Sequence, residues 1–177
     1  MRLLLLRHAK SDWSGNVGDH DRPLAPRGRK AAPRIGAFMR KKGYLPAAVL
    51  CSTAERTKQT LELVLPALRA DPKVQYDQSL YLAEWPALLR AVQSATRDTP
   101  LLLIGHNPGI EQLAIALAFQ PQDPATQARL ENLKQKFPTT ALAVLDFDAD
   151  GWEGVKPGTG RLTDFVRPRD LRGAAAE

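Results

Sequence analysis

Arg7 and His8 follow the apolar run Leu3 to Leu6, Ser52 and Arg56 follow the run Ala47 to Cys51, and His106 and Asn107 follow Leu101 to Ile104. Each set stands where a buried strand would end, and in open α/β sheets ligands bind beyond the carboxyl ends of the strands. A guanidinium is a planar, permanently charged fork that matches phosphate oxygens. A neutral imidazole can attack phosphorus, and a protonated one can steady an oxyanion. Two histidines and two arginines brought to one sheet edge would therefore suit a phosphoryl group. Taken singly, each has a plainer role. His8 and His106 can serve structure alone, Arg56 can be a solvated helix charge, and Arg22 before Pro23 a loop cation. Gly105 to Gly109 can be a helix-entry turn, with Asn107 as N-cap and Pro108 at the first helical position. The conjunction favours chemistry.

The elements that must position these residues are readable from period and punctuation. The short apolar runs have the continuity of strands buried on both faces. Leu61, Val64, Leu65 and Leu68 fall at i, i+3, i+4 and i+7, as do Trp85, Leu88, Leu89 and Val92, and Ile110, Leu113, Ala114 and Leu117; each set predicts a helix. Ala31, Ile35, Phe38 and Met39 predict another that ends near Gly43, with Pro33 pushing its start beyond Gly28. Strand and helix patterns alternate to about residue 118, which predicts a three-layer α/β sandwich, a mostly parallel central sheet with helices on both faces. Gln120 to Pro138 reads as a polar surface excursion in which Leu130 and Leu133 allow a short helix. Thr140 to Phe147, with a turn at Asp148 to Gly151 into Trp152, predicts a late hairpin or edge strand. Gly173 to Glu177 is expected to fray. No linker divides residues 1–177, and a single domain is expected.

Composition narrows the function. Hydrophobic residues make up 44% and charged residues 25% of the chain, in the range of folded globular domains. The one cysteine, Cys51, allows no intrachain disulfide and no four-cysteine metal site, and it reads as a buried small hydrophobe. Leu3 to Leu6 is too short for a signal sequence, and no stretch approaches the ~20 apolar residues of a membrane span, so a cytoplasmic protein without membrane association is expected. Lys+Arg of 25 against Asp+Glu of 19 give +6, a bias that attracts anions. Aromatics at 6% are too few for a base-stacking surface, so nucleic acid is not the expected partner. His20, between Asp19 and Asp21, reads as part of a solvated loop, since further metal ligands are missing at the right spacing; Trp13, Trp85 and Trp152 read as packing residues.

Arg7-His8, then Ser52 with Arg56 and Gln59-Thr60, then Gly105-His106-Asn107-Pro108-Gly109, in that order, resemble the signature of the histidine phosphatase superfamily, whose members include phosphoglycerate-mutase-like enzymes. RHAKSDW, DRPLAPRG from Asp21 to Gly28, KFPTTALAVLDFD from Lys136 to Asp148 and FVRPRDL look like its short bacterial phosphohistidine phosphatases, including Ala9 where much of the superfamily has glycine. The resemblance implies a phosphoglycerate-mutase-like fold and a metal-independent phosphatase without cofactor. It implies that His8 attacks phosphorus and is transiently phosphorylated, that Arg7, Arg56 and His106 hold the equatorial oxygens, and that Arg22 is a fourth candidate. Backbone N–H groups near Asn107 would add a helix-start dipole. The attacking nitrogen of His8 must be bare, so its other nitrogen should donate to a carbonyl or carboxylate, and neighbouring arginines should lower its pKa.

An alkoxide leaving group, with a water-like pKa of about 15.7, needs a general acid, whereas imidazole departing from protonated phosphohistidine has a conjugate acid near 6.5. Glu84, in Tyr81-Leu82-Ala83-Glu84 just before a helix, is the candidate carboxylate; its plainer role is a charge favoured by the helix dipole. A missing strong acid would favour phosphohistidine on a protein, such as a signalling phosphocarrier, over a sugar phosphate. A small phosphorylated metabolite, or phosphate binding without turnover, are the alternatives; nothing in the sequence sets the oligomeric state.

Overall fold

The computed structural model describes residues 1–121 and 123–171; the tail expected to fray at Gly173 to Glu177 lies outside the described residues. In chain order the elements are β1 (Arg2–Arg7), α1 (Pro26–Lys41), β2 (Ala48–Ser52), α2 (Glu55–Leu68), β3 (Lys73–Asp77), α3 (Trp85–Gln93), β4 (Leu101–Gly105), α4 (Gly109–Leu117), α5 (Pro124–Gln135), β5 (Leu142–Asp146) and β6 (Arg161–Val166). The strands form one six-stranded sheet in the order β3-β2-β4-β1-β5-β6. From β3 to β1 the pairings are parallel, and β5 and β6 are added antiparallel.

Side chains alternate across a strand. In β1, Leu3 and Leu5 join one core with Leu88, Val92, Leu113 and Leu133 beneath α3, α4 and α5. Leu4 and Leu6 join the other, with Ile35, Met39, Leu61 and Val64 beneath α1 and α2. All four β1 leucines are fully buried, each stabilising the fold by about 1.5–3 kcal/mol, which explains an uninterrupted apolar run in a two-faced sheet. The three-layer α/β sandwich is the observed architecture.

Three details differ from expectation. β3 went unread because its burial pattern is almost wholly exposed, as befits an edge strand with the polar sequence KVQYD. The first helix starts at Pro26 and runs through Pro33; its buried Ala32, Ile35, Gly36 and Met39 pack on α2 while Gly28 abuts the Lys10 backbone, and this packing carries the helix across the missing N–H. The hairpin partner of β5 is β6, whereas Trp152 opens a short 3-10 turn and is fully buried with its indole N–H donating to the Asp98 carbonyl. The surface excursion contains the helix that Leu130 and Leu133 allow: α5, twelve residues long, with both leucines buried and Asp123 as its cap. No helix among the described residues is long and apolar enough to cross a membrane.

Candidate active site

The parallel strands β1, β2 and β4 end side by side. Arg7 of β1 is in register with Gly105 of β4, so His8 and His106 emerge as neighbours, their ring centroids 5.2 Å apart. The segment after β1 is held on every side. His8 N–H donates to the Gly105 carbonyl, Thr140 N–H donates to the carbonyls of Arg7 and His8, and Ala9 N–H donates to Thr60 Oγ1. Thr60 in turn donates to the Arg56 carbonyl, which ties the first turns of α2 to the same point. Thr140 takes this role with φ at 65°, a left-handed conformation costly for a β-branched residue and typical of places where geometry is over-determined.

Two glycines bring backbone to the site. A Cβ on Gly28 would stand 2.2 Å from the Lys10 carbonyl oxygen, and one on Gly109 would stand 1.9 Å from that of Ala83. Only glycine allows α1 to abut the chain leaving His8, and the Tyr81–Glu84 segment to lie against the start of α4.

The imidazoles are fixed differently. Nδ1 of His8 is 2.7 Å from the Ala9 carbonyl oxygen, which can only accept, so Nδ1 carries the proton and Nε2 of the neutral ring is bare. His106 is held through Nε2 at 2.8 Å from Ser52 Oγ. Both rings are pulled down from their usual 6.5 to about 3. For His8 the main cause is burial; His106, Arg56 and Arg7 add smaller contributions, so the arginines reinforce what desolvation does. For His106 burial again leads, followed by Arg56. Both are neutral at pH 7.

Arg56 is buried in the first turn of α2, not a solvated helix charge. Its Nη1 donates to the Asp19 carbonyl at 2.6 Å and its Nη2 to Asp19 Oδ2 at 3.1 Å. Arg22 is also buried; its Nε and Nη2 donate to Asp19 Oδ1 at 3.0 and 2.8 Å, its Nη1 to Ser11 Oγ. Tyr81 O–H donates to Asp19 Oδ2, and its ring meets His106 edge-on with centroids 5.5 Å apart. Asp19 thus bridges two arginines and a phenol, which hold its carboxyl well below the usual range, Tyr81 foremost. Arg7 points elsewhere: its Nη1 donates to the Phe137 carbonyl at 2.9 Å. Arg7 Nε, Arg56 Nε and His106 Nδ1 are buried without a hydrogen-bond partner among the described residues.

The structure therefore brings Arg7, His8, Arg22, Arg56 and His106 to one sheet edge. Asn107 reaches it only partly. The helix after it starts at Gly109 with Pro108 as N-cap, so Asn107 is not the cap; its side-chain amide instead donates to Glu111 and to the Phe137 carbonyl. Glu84 is the N-cap of α3, exposed, and its carboxylate makes no hydrogen bond or ion pair among the described residues. His20 is half-buried: its Nε2 lies 2.9 Å from Thr53 Oγ1 and its ring stands edge-on to Tyr81. Trp13 is no packing residue of the core; it is 70% exposed and stacks under the Arg22 guanidinium, 3.5 Å from the ring centroid. Cys51 is buried as expected, its thiol pushed up to about 12.

Sequence reasoning missed Asp19, Tyr81, Thr140 and the Phe137 carbonyl. Asp19 had a readable signal, a carboxylate three residues before Arg22 on the same turn; the others are set by tertiary folding.

The family model described as histidine phosphatase superfamily (branch 1) matches residues 3–87. An uncharacterised protein of Mycobacterium tuberculosis is 40% identical over 167 residues, covering 93% of this chain and 100% of that protein. Among solved structures, a candidate phosphohistidine phosphatase SixA from Agrobacterium tumefaciens is 31% identical with a TM-score of 0.77, covering 94% of this chain and 97% of that one. A second candidate SixA, from Nakamurella multipartitia, is 30% identical with a TM-score of 0.78, covering 94% and 95%.

Proposed function

Because the chain belongs to the histidine phosphatase superfamily, in its short SixA-like branch, we propose that it hydrolyses phosphohistidine on a protein through a covalent phospho-His8 intermediate. The observation that carries this reading is the hydrogen bond from His8 Nδ1 to the Ala9 carbonyl, which leaves Nε2 as an unprotonated nucleophile beside Arg7, Arg56 and His106.

In the first step the Nε2 lone pair bonds phosphorus while the phosphorus–nitrogen bond of the substrate breaks, its electrons returning to a departing neutral imidazole. Charge on the equatorial oxygens is met by the buried Nε of Arg7 and of Arg56 and by His106 Nδ1, which carries a proton when the Ser52 hydroxyl donates to Nε2. Burying such groups unpaired costs about 1–3 kcal/mol each, a cost that a bound oxyanion relieves. In the second step a water oxygen bonds phosphorus, the His8–phosphorus electrons return to Nε2, and one water proton is released as hydrogen phosphate forms. Throughout, Nδ1–H stays on the Ala9 carbonyl, so His8 begins and ends as the same tautomer.

Arg22 acts with Asp19 at the loop side of the pocket; the carboxylate orients both forks. Asn107 positions the Phe137 carbonyl that holds Arg7.

The test is turnover by the purified protein of a phosphohistidine peptide without added metal, with acid-labile phosphate trapped on the protein by rapid quench. His8→Ala should lower kcat by at least about 10³-fold and abolish the trapped phosphate. Full turnover in that variant would refute the nucleophile. Faster turnover of a small phosphomonoester than of the peptide would shift the substrate class, and binding without turnover would indicate a non-catalytic module.

A further inference from the structure

A groove of about 650 Å³ opens beside Arg7 and runs between the chain after β1, the start of α1, the α5–β5 connection and the short 3-10 turn Pro168–Leu171. It continues, through shared Arg27, Ala31 and Pro168, into a second depression of about 290 Å³ that Lys30, Arg34 and Leu171 also line. On α1, Arg27, Lys30, Ala31 and Arg34 stand at i, i+3, i+4 and i+7, a stripe separate from the buried one that packs on α2.

The charge of this groove is out of proportion to the chain. Lys10, Arg27, Lys30, Arg34 and Lys136 line it without an ion pair among the described residues. Arg167 and Arg169 share one carboxylate, Asp170, at 3.0 and 3.8 Å. With Arg7 these are eight cations against one acid, 8 − 1 = +7, more than the +6 of the whole sequence. The remainder of the chain is close to neutral, so the molecule is strongly dipolar.

We infer that the groove docks an acidic segment of the phosphorylated protein, on the reading that this protein is the substrate. Arg7 belongs to both regions: its guanidinium is anchored on the Phe137 carbonyl, and the flanking Lys136 and Pro138 line the groove. Because Arg7 lines both regions, a segment whose phosphohistidine enters the pocket has a continuous path past Arg7 and along these cations. The stripe from Arg27 to Arg34 alone spans about 10 Å at 1.5 Å per residue, beyond the reach of a single small phosphoester. The floor contributed by Ala31, Pro138, Pro168 and Leu171 suits aliphatic stems, and no aromatic lines the groove to stack a base. Aspartates and glutamates flanking the phosphohistidine are the recognised chemistry.

The test uses two phosphohistidine peptides, one flanked by aspartate and glutamate and one by serine and glutamine, with p-nitrophenyl phosphate as a substrate that cannot reach the groove. The parent should cleave the acidic peptide with kcat/KM at least about tenfold higher, through KM, and the preference should fade as ionic strength rises from about 0.02 to 0.3 M. Arg27→Gln/Lys30→Gln/Arg34→Gln, all exposed, should erase the preference and leave p-nitrophenyl phosphate turnover within about twofold. Equal cleavage of both peptides by the parent, or a preference that survives the triple variant, would overturn the proposal. So would tighter binding of a single-stranded oligonucleotide than of the acidic peptide at equal charge. Fluorescence anisotropy of the labelled, unphosphorylated acidic peptide reports the groove separately. Binding that the triple variant loses, in a parent without phosphohistidine turnover, would support the groove while refuting the catalytic reading.

Discussion

Arg56 and Lys30 both carry one positive charge on the first turns of a helix, yet they inhabit different media. Arg56 is 2% exposed and aims two nitrogens at Asp19, whereas Lys30 is exposed and forms no ion pair among the described residues. At 4 Å two unit charges interact by about 1 kcal/mol in water and about 4 kcal/mol at an effective dielectric of 20. A buried cation therefore acts through geometry, and a solvated one through summed charge over about 8 Å at physiological salt. The pocket has the means for the first effect: its forks are held by Asp19, Tyr81 and backbone carbonyls, so on the proposed reading little reorganisation would remain when charge develops on a phosphoryl group. The groove has the second.

This contrast is sharpest under exchange of arginine and lysine. Arg56→Lys keeps the charge and loses the planar fork that reaches both Asp19 and a phosphoryl oxygen, so kcat/KM should fall by about 10²–10³-fold, roughly 2.7–4 kcal/mol. The reverse exchange in the groove, Lys30→Arg, should leave kcat/KM for every substrate within about twofold. Steady-state kinetics on the two variants checks both, and an Arg56→Lys enzyme of near-parental efficiency would erase the distinction between the regions.

The burial that lowers the pKa of both imidazoles also makes the fold sensitive to acid. His8 and His106 titrate near 3 in the folded state against about 6.5 when unfolded, so between those values the unfolded chain binds more protons. Stability must then fall as pH drops below about 6.5, with a slope approaching 1.4 kcal/mol per pH unit for each buried imidazole. Urea unfolding from pH 6.5 to 5, above the range where ordinary carboxylates titrate, should show this loss. His8→Phe should remove about half of the slope, while the triple groove variant should keep all of it. A parent whose stability is flat over that interval would contradict neutral, buried histidines.

How much of this was legible beforehand follows the same division. β1, β2 and β4 are apolar on both faces, so their ends, and with them Arg7, His8, Ser52 and His106, could be placed from the sequence. The sequence places Ser52 at a strand end, whereas its role under His106 depends on the packing of β2 against β4. Asp19 reads as one acid of a solvated DHD turn; its spacing to Arg22 is local, but nothing local shows that Arg56 and Tyr81 converge on it from two other parts of the chain. Phe137 acts through its carbonyl, which no residue type announces. Arg27, Lys30 and Arg34 stand close together in the sequence, but their partners in the groove come from positions 10, 136, 167 and 169, which only tertiary folding brings beside α1.

Glu84 tests the boundary between pocket and surroundings. Its backbone is close to the site, since the Ala83 carbonyl fits against Gly109, but its carboxylate stands exposed at the N-cap of α3, apart from the buried Arg22 and Arg56 and the more exposed Asp19 that joins them. A solvated carboxylate of this kind contributes little to holding the phosphoryl group. What it can contribute is a proton to the leaving group, and that need depends on the substrate. Imidazole leaves from protonated phosphohistidine with a conjugate acid near 6.5, whereas an alkoxide with a water-like pKa near 15.7 needs the proton in the transition state. Glu84→Gln should therefore slow phosphohistidine cleavage by less than about tenfold, under ~1.4 kcal/mol, and slow alkyl phosphates by more. Parallel measurement of kcat on the two substrates decides it: equal losses would undo the leaving-group role of Glu84.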